Sequence, residues 1–508
     1  MAQATPPSEK ASENGKKSSV CTTMRRILHR GILMRNTFIL SVSALSAGLI
    51  LIGSMTNASD VELGQSSTPS AANSAALNAE PLGAVGPDVV VWNLQSYTNY
   101  SASGGYDAYS IGTVSCNVGD EPLLWISNNN QHPVIGQSMY RLAPGPNGHP
   151  RMEMIGQSWL KHGFCALSQS ECGPCQATSC STLGVNCSDP YTASRNGSQS
   201  TLGPKYEVNA TTGVYPYPPA NPVYSGSTAR RLRVPQSMVT NVPSGSTFFV
   251  EGQYVCPDDN PTQGGNGDNN MSYRGVDLNN GGNIVGFTTD TQVALPALSA
   301  WKVADPAVKY RRLGVPGMGQ MIVASRAYDN GDGTWDYEYA VYNQNIDASI
   351  GQLIIPTNGD PMATSFGFAC PEYHSGEQYE PTPWDASNNA DGVVFATESF
   401  DTNANANAIR WGTTYNFRFT SPYPPVNGQV ELGFFKETSE PNRFALVDVP
   451  DVTEECIGDI NNNGSVDFED LLNLLSAWGT NNPEADLDGS GTVEFNDLLA
   501  LLSAFGDC

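Results

Sequence analysis

Apolar and polar positions alternate strictly in the second half of the chain. The alternation, rich in aromatic residues, covers three segments: 335–341, 415–420 and 430–434. Because successive side chains of a strand point to opposite faces, this period of two predicts antiparallel strands with one covered face. The turn-forming string Asp-Asn-Gly-Asp-Gly at 329–333 separates 320–328 from 335–342 and predicts a hairpin. We therefore expect a β-sandwich over residues 316–450.

The first half is predicted to be β-rich as well, with shorter strands. Ordered structure is expected to begin at 87–92, and strand-like runs follow at 109–117, 123–128 and 247–256. Gly, Pro and Asn turns separate these runs. Five cysteines cluster in the same half, at 165, 172, 175, 180 and 187. The sequence thus predicts a mainly β body, with a cysteine-rich domain over residues 85–315.

The pattern changes near the C-terminus, where two units repeat 27 residues apart. Each unit is a polar loop followed by apolar residues at helical spacing. The apolar positions are Phe468, Leu471, Leu472, Leu475 and Trp478 in the first unit, and Phe495, Leu498, Leu499, Leu502 and Phe505 in the second. We expect these positions to pack on each other as a small two-helix core, so that residues 451–508 form an all-α module.

Both loops carry the side chains of a calcium site. Oxygen-bearing residues occupy loop positions 1, 3, 5, 7, 9 and 12, with Gly at position 6: Asp459, Asn461, Asn463, Ser465, Asp467 and Asp470 in the first loop, and Asp486, Asp488, Ser490, Thr492, Glu494 and Asp497 in the second. Calcium takes six to eight oxygens, and position 6 must turn sharply. No Lys or Arg occurs from residue 451 onward. The sequence predicts two Ca²⁺ sites.

A tandem of loop and helix, with Asp at position 12, resembles a dockerin module over residues 457–506. The resemblance implies calcium binding and attachment to a protein partner. Dockerins bind cohesins through a hydroxyl pair before position 12, where this chain has Phe468-Glu469 and Phe495-Asn496. A standard cohesin is therefore not the expected partner. Cys456 and Cys508 bracket the module and are predicted to form a disulfide clasp.

The N-terminus has the layout of an export signal. A basic segment precedes an apolar run at 37–53, and Thr56-Asn57-Ala58 offers small residues for cleavage. Residues 1–58 are predicted to be a leader, with an uncleaved membrane anchor as the alternative. Residues 59–84, rich in Ser, Ala and Asn, are predicted to be a flexible linker. We expect a secreted or cell-surface protein.

Charge and cysteine content agree with this localisation. The chain has 25 basic and 50 acidic residues, which argues against nucleic acid as a partner and is compatible with calcium or a glycan. One of the 11 cysteines precedes the apolar run. The remaining ten favour disulfides formed in an oxidising compartment.

Candidate catalytic residues gather around Trp159-Leu-Lys161-His162-Gly163-Phe164-Cys165. This string is similar to the W-x-K-H-G-T-C box of secreted acid ribonucleases, in which His does acid–base work and Lys steadies the phosphate. Phe164 replaces the Thr of that box, and the second histidine box is missing. His149 or His132 would have to supply the second proton carrier. A zinc knot or a redox pair built on Cys172 and Cys175 is the other alternative, with structural disulfides favoured.

Two functions follow from these patterns. The first is an exported protein whose C-terminal module binds calcium and mediates attachment or assembly at the cell surface. The second is a secreted hydrolase, acting on polysaccharide or resembling a ribonuclease, that the same module tethers. Residues 85–450 contain no nucleophile elbow, zinc-protease motif or phosphate-binding loop.

Overall fold

The computed structural model describes residues 82–507 except 84, 164, 263–266, 375, 390–391, 453–456 and 462. This part of the chain is mainly β and its sheets are antiparallel, as predicted. The predicted leader and nearly all of the linker lie outside the described residues. Cys456 and Cys508 also lie outside them, so the clasp stays a prediction.

An eleven-stranded antiparallel sheet dominates the described first half. The strands of this half are β1 (Val89–Ser103), β2 (Tyr106–Asn117), β3 (Leu123–Leu124), β4 (Val134–Pro144), β5 (Pro150–Gln157), β6 (Leu160–His162), β7 (Thr182–Leu183), β8 (Ser188–Tyr191), β9 (Leu202–Gly203), β10 (Leu232–Pro235), β11 (Thr247–Val255), β12 (Met271–Leu278) and β13 (Ile284–Phe287). Two short helices, α1 (Ala193–Asn196) and α2 (Ser299–Ala304), and 3₁₀ turns at Gln199–Thr201, Lys205–Glu207 and Gln236–Met238 connect them.

The main path through the sheet runs β1-β2-β10-β5-β4-β11-β12-β13, while β3 pairs with β7 in a separate two-stranded ladder. The strand predicted at 123–128 ends at Leu124. Its polar end forms a turn instead, in which the Asn129 side chain accepts a hydrogen bond from the Gln131 N–H at 2.9 Å. Asn side chains favour such local bonds over a strand ladder.

The second half is a β-sandwich, as predicted. Its strands are β14 (Lys309–Val315), β15 (Gly319–Asp329), β16 (Trp335–Asn343), β17 (Ile350–Ile355), β18 (Thr364–Ala369), β19 (Asp385–Asn389), β20 (Gly392–Ala396), β21 (Thr413–Ser421), β22 (Pro425–Phe434) and β23 (Asn442–Pro450). They form two five-stranded sheets, ordered β14-β15-β16-β21-β18 and β19-β20-β17-β22-β23. Tyr339 and Phe417 of one sheet share a core with Leu353, Phe395 and Leu432 of the other.

The sandwich begins before the predicted boundary at residue 316, because β14 pairs with β15 along its whole length. The intervening Val315-Pro-Gly-Met318 has the composition of a linker. In the structure it is a tight turn in which the Met318 N–H donates to the Val315 carbonyl at 2.9 Å. Composition alone does not separate a hairpin turn from a domain linker.

The expectation of one covered face is wrong for the sheet that contains β16. Ala340 and Tyr342 pack with Tyr140 and Met154 of the first half, on the face opposite the sandwich core. Glu338 on this face is fully buried, and Asn147 donates to its carboxylate at 3.0 Å. The two halves are therefore joined by a second buried layer, which alternation within one strand does not predict.

The C-terminal module contains α3 (Phe468–Ser476) and α4 (Phe495–Ser503), and a short ladder between β24 (Ser465–Val466) and β25 (Gly506–Asp507). The ladder joins the end of the first loop to the end of the module. The buried core consists of Val466, Leu474, Ala477, Ala485, Val493 and Leu501, with Ile460, Leu471, Leu487 and Leu498 packed against it.

The predicted two-helix core is wrong in most of its members. Only Leu471 and Leu498 of that set contact the buried cluster. The others are between 43% and 63% exposed: Phe468, Leu472, Leu475, Trp478, Phe495, Leu499, Leu502 and Phe505. Each helix carries Leu at several adjacent positions, so two neighbouring apolar stripes fit the same helical period. The loops and the short ladder determine which stripe faces inward.

Candidate functional site

The two acidic loops adopt the same backbone conformation. The N–H of Gly464 donates to Asp459 at 2.8 Å, and the N–H of Gly491 donates to Asp486 at 2.7 Å. Both glycines have positive φ, 91° and 92°, where an L side chain would be strained. Position 1 of each loop is thus tied to position 6, and the side chain at position 1 is directed into the loop.

Position 12 closes each loop from the first turn of the following helix. The carboxylate of Asp497 accepts from the N–H groups of Asp488 at 3.0 Å and Glu494 at 2.7 Å. Asp470 accepts in the same way from positions 3 and 9 of the first loop, both at 3.0 Å. Burial raises the pKa of Asp497, but the N–H donors of Glu494 and Asp488 outweigh burial and the net shift is downward. The ionised form, which a cation needs, is favoured.

The second loop brings three carboxylates together. One oxygen from each of Asp486, Asp488 and Asp497 lies within 4.8 Å of the others. Ligands held at roughly 2.3–2.6 Å from one calcium ion are at most about 5 Å apart, so this separation fits the ion. The Ser490 hydroxyl lies 3.5 Å from Asp486 and donates to the Thr492 carbonyl at 3.1 Å. An all-oxygen donor set of this kind suits a hard cation.

The first loop replaces two of those carboxylates with amides. Asn461 and Asn463 stand at positions 3 and 5, and each accepts a hydrogen bond from the N–H two residues further on, at 3.0 and 2.9 Å. Asp467 at position 9 caps α3, since its carboxylate accepts from the Glu469 N–H at 2.8 Å. The donor set remains entirely oxygen, with less negative charge than in the second loop.

Two of the four candidate catalytic side chains, His132 and His162, lie in direct contact. The Nε2 of His132 is 3.1 Å from the Nδ1 of His162, and both residues are buried. They meet because β6 pairs with β4 next to the segment that carries His132. Burial lowers the pKa of both, to about 3 for His162. Two neutral imidazoles that bond each other have no room between them for a substrate.

The other two candidates do not complete a catalytic site. Lys161 is buried, and burial followed by the charge of Arg195 lowers its pKa to about 7. His149 lies elsewhere, with its ring stacked on Tyr328 at 4.4 Å and its Nε2 3.0 Å from the Asn330 side chain. The histidine pair that a ribonuclease needs is not assembled around a common cavity by the described residues.

The clustered cysteines form disulfides rather than a metal knot or a redox pair. Cys116 bonds Cys172, Cys165 bonds Cys180, and Cys175 bonds Cys187. Cys172 and Cys175 therefore have different partners, and neither the zinc nor the redox alternative holds. These three disulfides are compatible with a secreted protein. In the part of the chain that the structure describes, no helix is long and apolar enough to cross a membrane.

Comparisons with known proteins do not assign a family. No family model matches the chain, and no curated protein matches it. Among solved structures, an exo-chitosanase variant from Amycolatopsis orientalis in complex with PNP-beta-D-glucosamine matches with 9% identity and a TM-score of 0.15, covering 66% of this chain and 25% of that chain. The crystal structure of that exo-chitosanase matches with a TM-score of 0.14, at the same identity and coverage. This chain thus spans about a quarter of their length, and so low a TM-score supports no argument.

Proposed function

We propose that the chain is an exported protein whose C-terminal module binds two calcium ions and attaches the β body to a protein partner at the cell surface. The observation that supports the proposal best is the repeated loop, in which positions 1, 3 and 12 of the second copy bring three carboxylates together. No Lys or Arg in 451–508 neutralises them. Calcium would relieve their repulsion, so its binding energy adds to the stability of the module.

The exposed helix faces support a role in attachment. Phe468, Leu472 and Leu475 lie along α3, and Phe495, Leu499 and Leu502 lie at equivalent positions along α4. We call these six residues the paired apolar faces. The two phenylalanines are 63% and 61% exposed. Adjacent exposed apolar side chains rimmed by polar residues are typical of protein-binding surfaces.

Charge complementarity identifies the chemistry of the partner. The paired apolar faces belong to a segment without a basic side chain, whose acidic residues flank them at Asp467, Glu469 and Glu494. A matching surface would therefore have an apolar centre and a rim of Lys or Arg. Binding to such a partner should weaken as salt screens the rim, while the apolar contact remains.

Calcium titration of the full chain by calorimetry, after chelation, tests the metal sites. Wild type should show two binding events, and the variant carrying Asp459→Ala and Asp486→Ala should show neither. The matched control carries Asp329→Ala and Asp332→Ala in the exposed turn of the β15–β16 hairpin, whose aspartates accept only local bonds. This control should bind calcium as wild type does. Calcium uptake by the loop variant at wild-type affinity would refute the ligand assignment.

Co-sedimentation with the envelope of the producing cell tests attachment. Wild type should bind only with calcium and less at high salt. The variant carrying Phe468→Ser and Phe495→Ser should lose envelope binding and keep both calcium events, because neither side chain belongs to a loop. Phe444→Ser, an exposed phenylalanine on β23, is the control. Undiminished envelope binding by the double variant would overturn the proposed surface.

A further inference from the structure

A recessed cavity lies at the joint between the two halves of the body. Its volume is about 290 Å³. Gln157 and Lys205 line it from the first half, and Asp347, Glu377 and Arg410 line it from the second. Ligand pockets often lie at domain interfaces, and this volume is near the lower end of their roughly 300–1,000 Å³ range. The cavity therefore suits one small ring rather than an extended chain.

Contacts between the halves hold one wall of the cavity in place. The Lys205 ammonium group donates to Gln157 at 3.2 Å and to the Gly412 carbonyl at 3.0 Å. The same group lies 4.8 Å from the centre of the Trp411 ring, whose N–H donates to the Val208 carbonyl at 2.8 Å. Residues distant in sequence are thus fixed relative to one another before any ligand arrives, which reduces the entropy cost of binding.

Several polar groups of the cavity have no hydrogen-bonding partner among the described residues. The Oε2 of Glu377 is shielded from solvent and unpaired. The side chains of Gln378 and Asn405 and the hydroxyls of Tyr206 and Tyr379, which also line the cavity, make no hydrogen bond to described residues. A shielded polar group without a partner costs free energy. A ligand with several hydroxyl groups would satisfy this set.

Most charges of the cavity are already balanced. Lys436 donates to Asp347 at 2.7 Å. Lys205 faces Glu377, whose pKa burial raises to about 7 against the pull of that lysine. Arg410 lies 4.1 Å from the centre of the Tyr379 ring and donates to the carbonyls of Ala404 and Ala406. This arrangement does not offer the cluster of unpaired cations that a phosphate would require.

Aromatic side chains complete the lining. Tyr206, Tyr379 and Phe400 border the cavity, and Phe400 is 38% exposed. Sugar rings present C–H groups on their faces and hydroxyls on their edges, so they bind where aromatic rings and hydrogen-bonding groups occur together. We infer that the cavity binds one saccharide unit, with Glu377 and Gln378 bonding its hydroxyls and Phe400 packing against its face. This ligand is additional to the attachment function proposed for the C-terminal module.

Saturation-transfer NMR and calorimetry on the full chain test the inference. The probes are the methyl glycosides of glucose, galactose, mannose, N-acetylglucosamine, glucuronic acid and galacturonic acid. At least one should bind with one-to-one stoichiometry. Phe400→Ala and Gln378→Ala, both at exposed positions, should each weaken that binding by roughly tenfold, the loss typical of an important contact. Phe444→Ala, an exposed phenylalanine outside the cavity, should leave it unchanged.

Two results would overturn the inference: none of the six glycosides binds at millimolar concentration, or binding survives both cavity substitutions undiminished. The variant carrying Asp459→Ala and Asp486→Ala separates this inference from the proposed function. It should lose calcium and keep the saccharide, so either idea can fail without the other.

Discussion

The inward face of the C-terminal helices can be tested with two neighbouring leucines of α3. Leu474 is fully buried, whereas Leu472 is 51% exposed. Both residues are Leu and belong to the same helix, so Leu→Ala changes helix propensity equally at both positions. Any difference between Leu474→Ala and Leu472→Ala therefore reports burial. Leu501 and Leu499 form the equivalent pair in α4, with Leu501 fully buried and Leu499 50% exposed.

The expected cost of Leu474→Ala follows from its surroundings. Truncating a buried leucine costs about 2–5 kcal/mol, with the upper part of the range for rigid sites that cannot collapse. The core around Leu474 is small and includes partly exposed neighbours such as Ile460 and Leu471, which can move into the space. We therefore expect about 3 kcal/mol, in the lower half of that range. Leu472→Ala should change stability by less than about 0.5 kcal/mol, as is usual for surface positions.

Hydrogen exchange followed by mass spectrometry measures this difference within the full chain. Peptides covering α3 and α4 report opening of the module, and peptides covering β15 and β16 report the body as an internal control. A loss of about 3 kcal/mol corresponds to exchange faster by on the order of 100-fold, up to the limit at which all protection of the module is lost. Saturating calcium is kept present throughout, because bound ligand adds to stability.

The comparison can refute the assignment of the inward face. If Leu472→Ala accelerates exchange as much as Leu474→Ala does, the stripe of Phe468, Leu472 and Leu475 forms the core, and the paired apolar faces are not available to a partner. The α4 pair gives an independent second measurement, since Leu499→Ala and Leu501→Ala should differ in the same direction.

Three further predictions concern the body and the clasp. Burial raises the pKa of Glu251 from 4.5 to about 7, so its contribution to stability is complete at low pH and is lost as the pH rises through that window; Glu251→Gln should flatten the decline in urea midpoint, and an unchanged slope would contradict the assignment. Replacing the Cys116–Cys172 disulfide, which spans 56 residues, with serines should cost about 4 kcal/mol, whereas replacing Cys175–Cys187, which spans 12, should cost about 3 kcal/mol; the reverse order in denaturant unfolding would argue against loop entropy as the cause. A non-reduced digest should contain the Cys456–Cys508 peptide pair, and free thiols at both positions would exclude the clasp.

Local patterns predicted the elements that depend on neighbours in sequence. Strict alternation predicted the β15–β16 hairpin, and the register that pairs Ala324 with Ala340 follows from its short turn. The repeat of 27 residues predicted two equivalent loops, and their internal hydrogen bonds match position by position. These features are fixed by turn chemistry and periodicity, which act over a few residues.

Contacts between distant segments were not predictable in the same way. The signal for the His132–His162 contact was weak, because the two residues are thirty positions apart and only the pairing of β4 with β6 joins them. The saccharide cavity had no signal at all: Lys205 and Glu377 belong to different halves, and neither lies in a motif. Burial of Glu338 was likewise hidden, since alternation marks a polar position as solvent-facing unless another layer covers it.

The sequence by itself determined a mainly β body, disulfide bonding and two loops with the donor pattern of calcium sites, because each depends on the spacing of residue types along the chain. Only the tertiary structure decided which leucines of α3 and α4 face inward, which cysteines pair and where the cavity forms. The physical reason is that a helix with several apolar positions fits more than one packing, and a cysteine has several potential partners. Packing density and burial select one arrangement from these, and both depend on segments that are far apart in sequence.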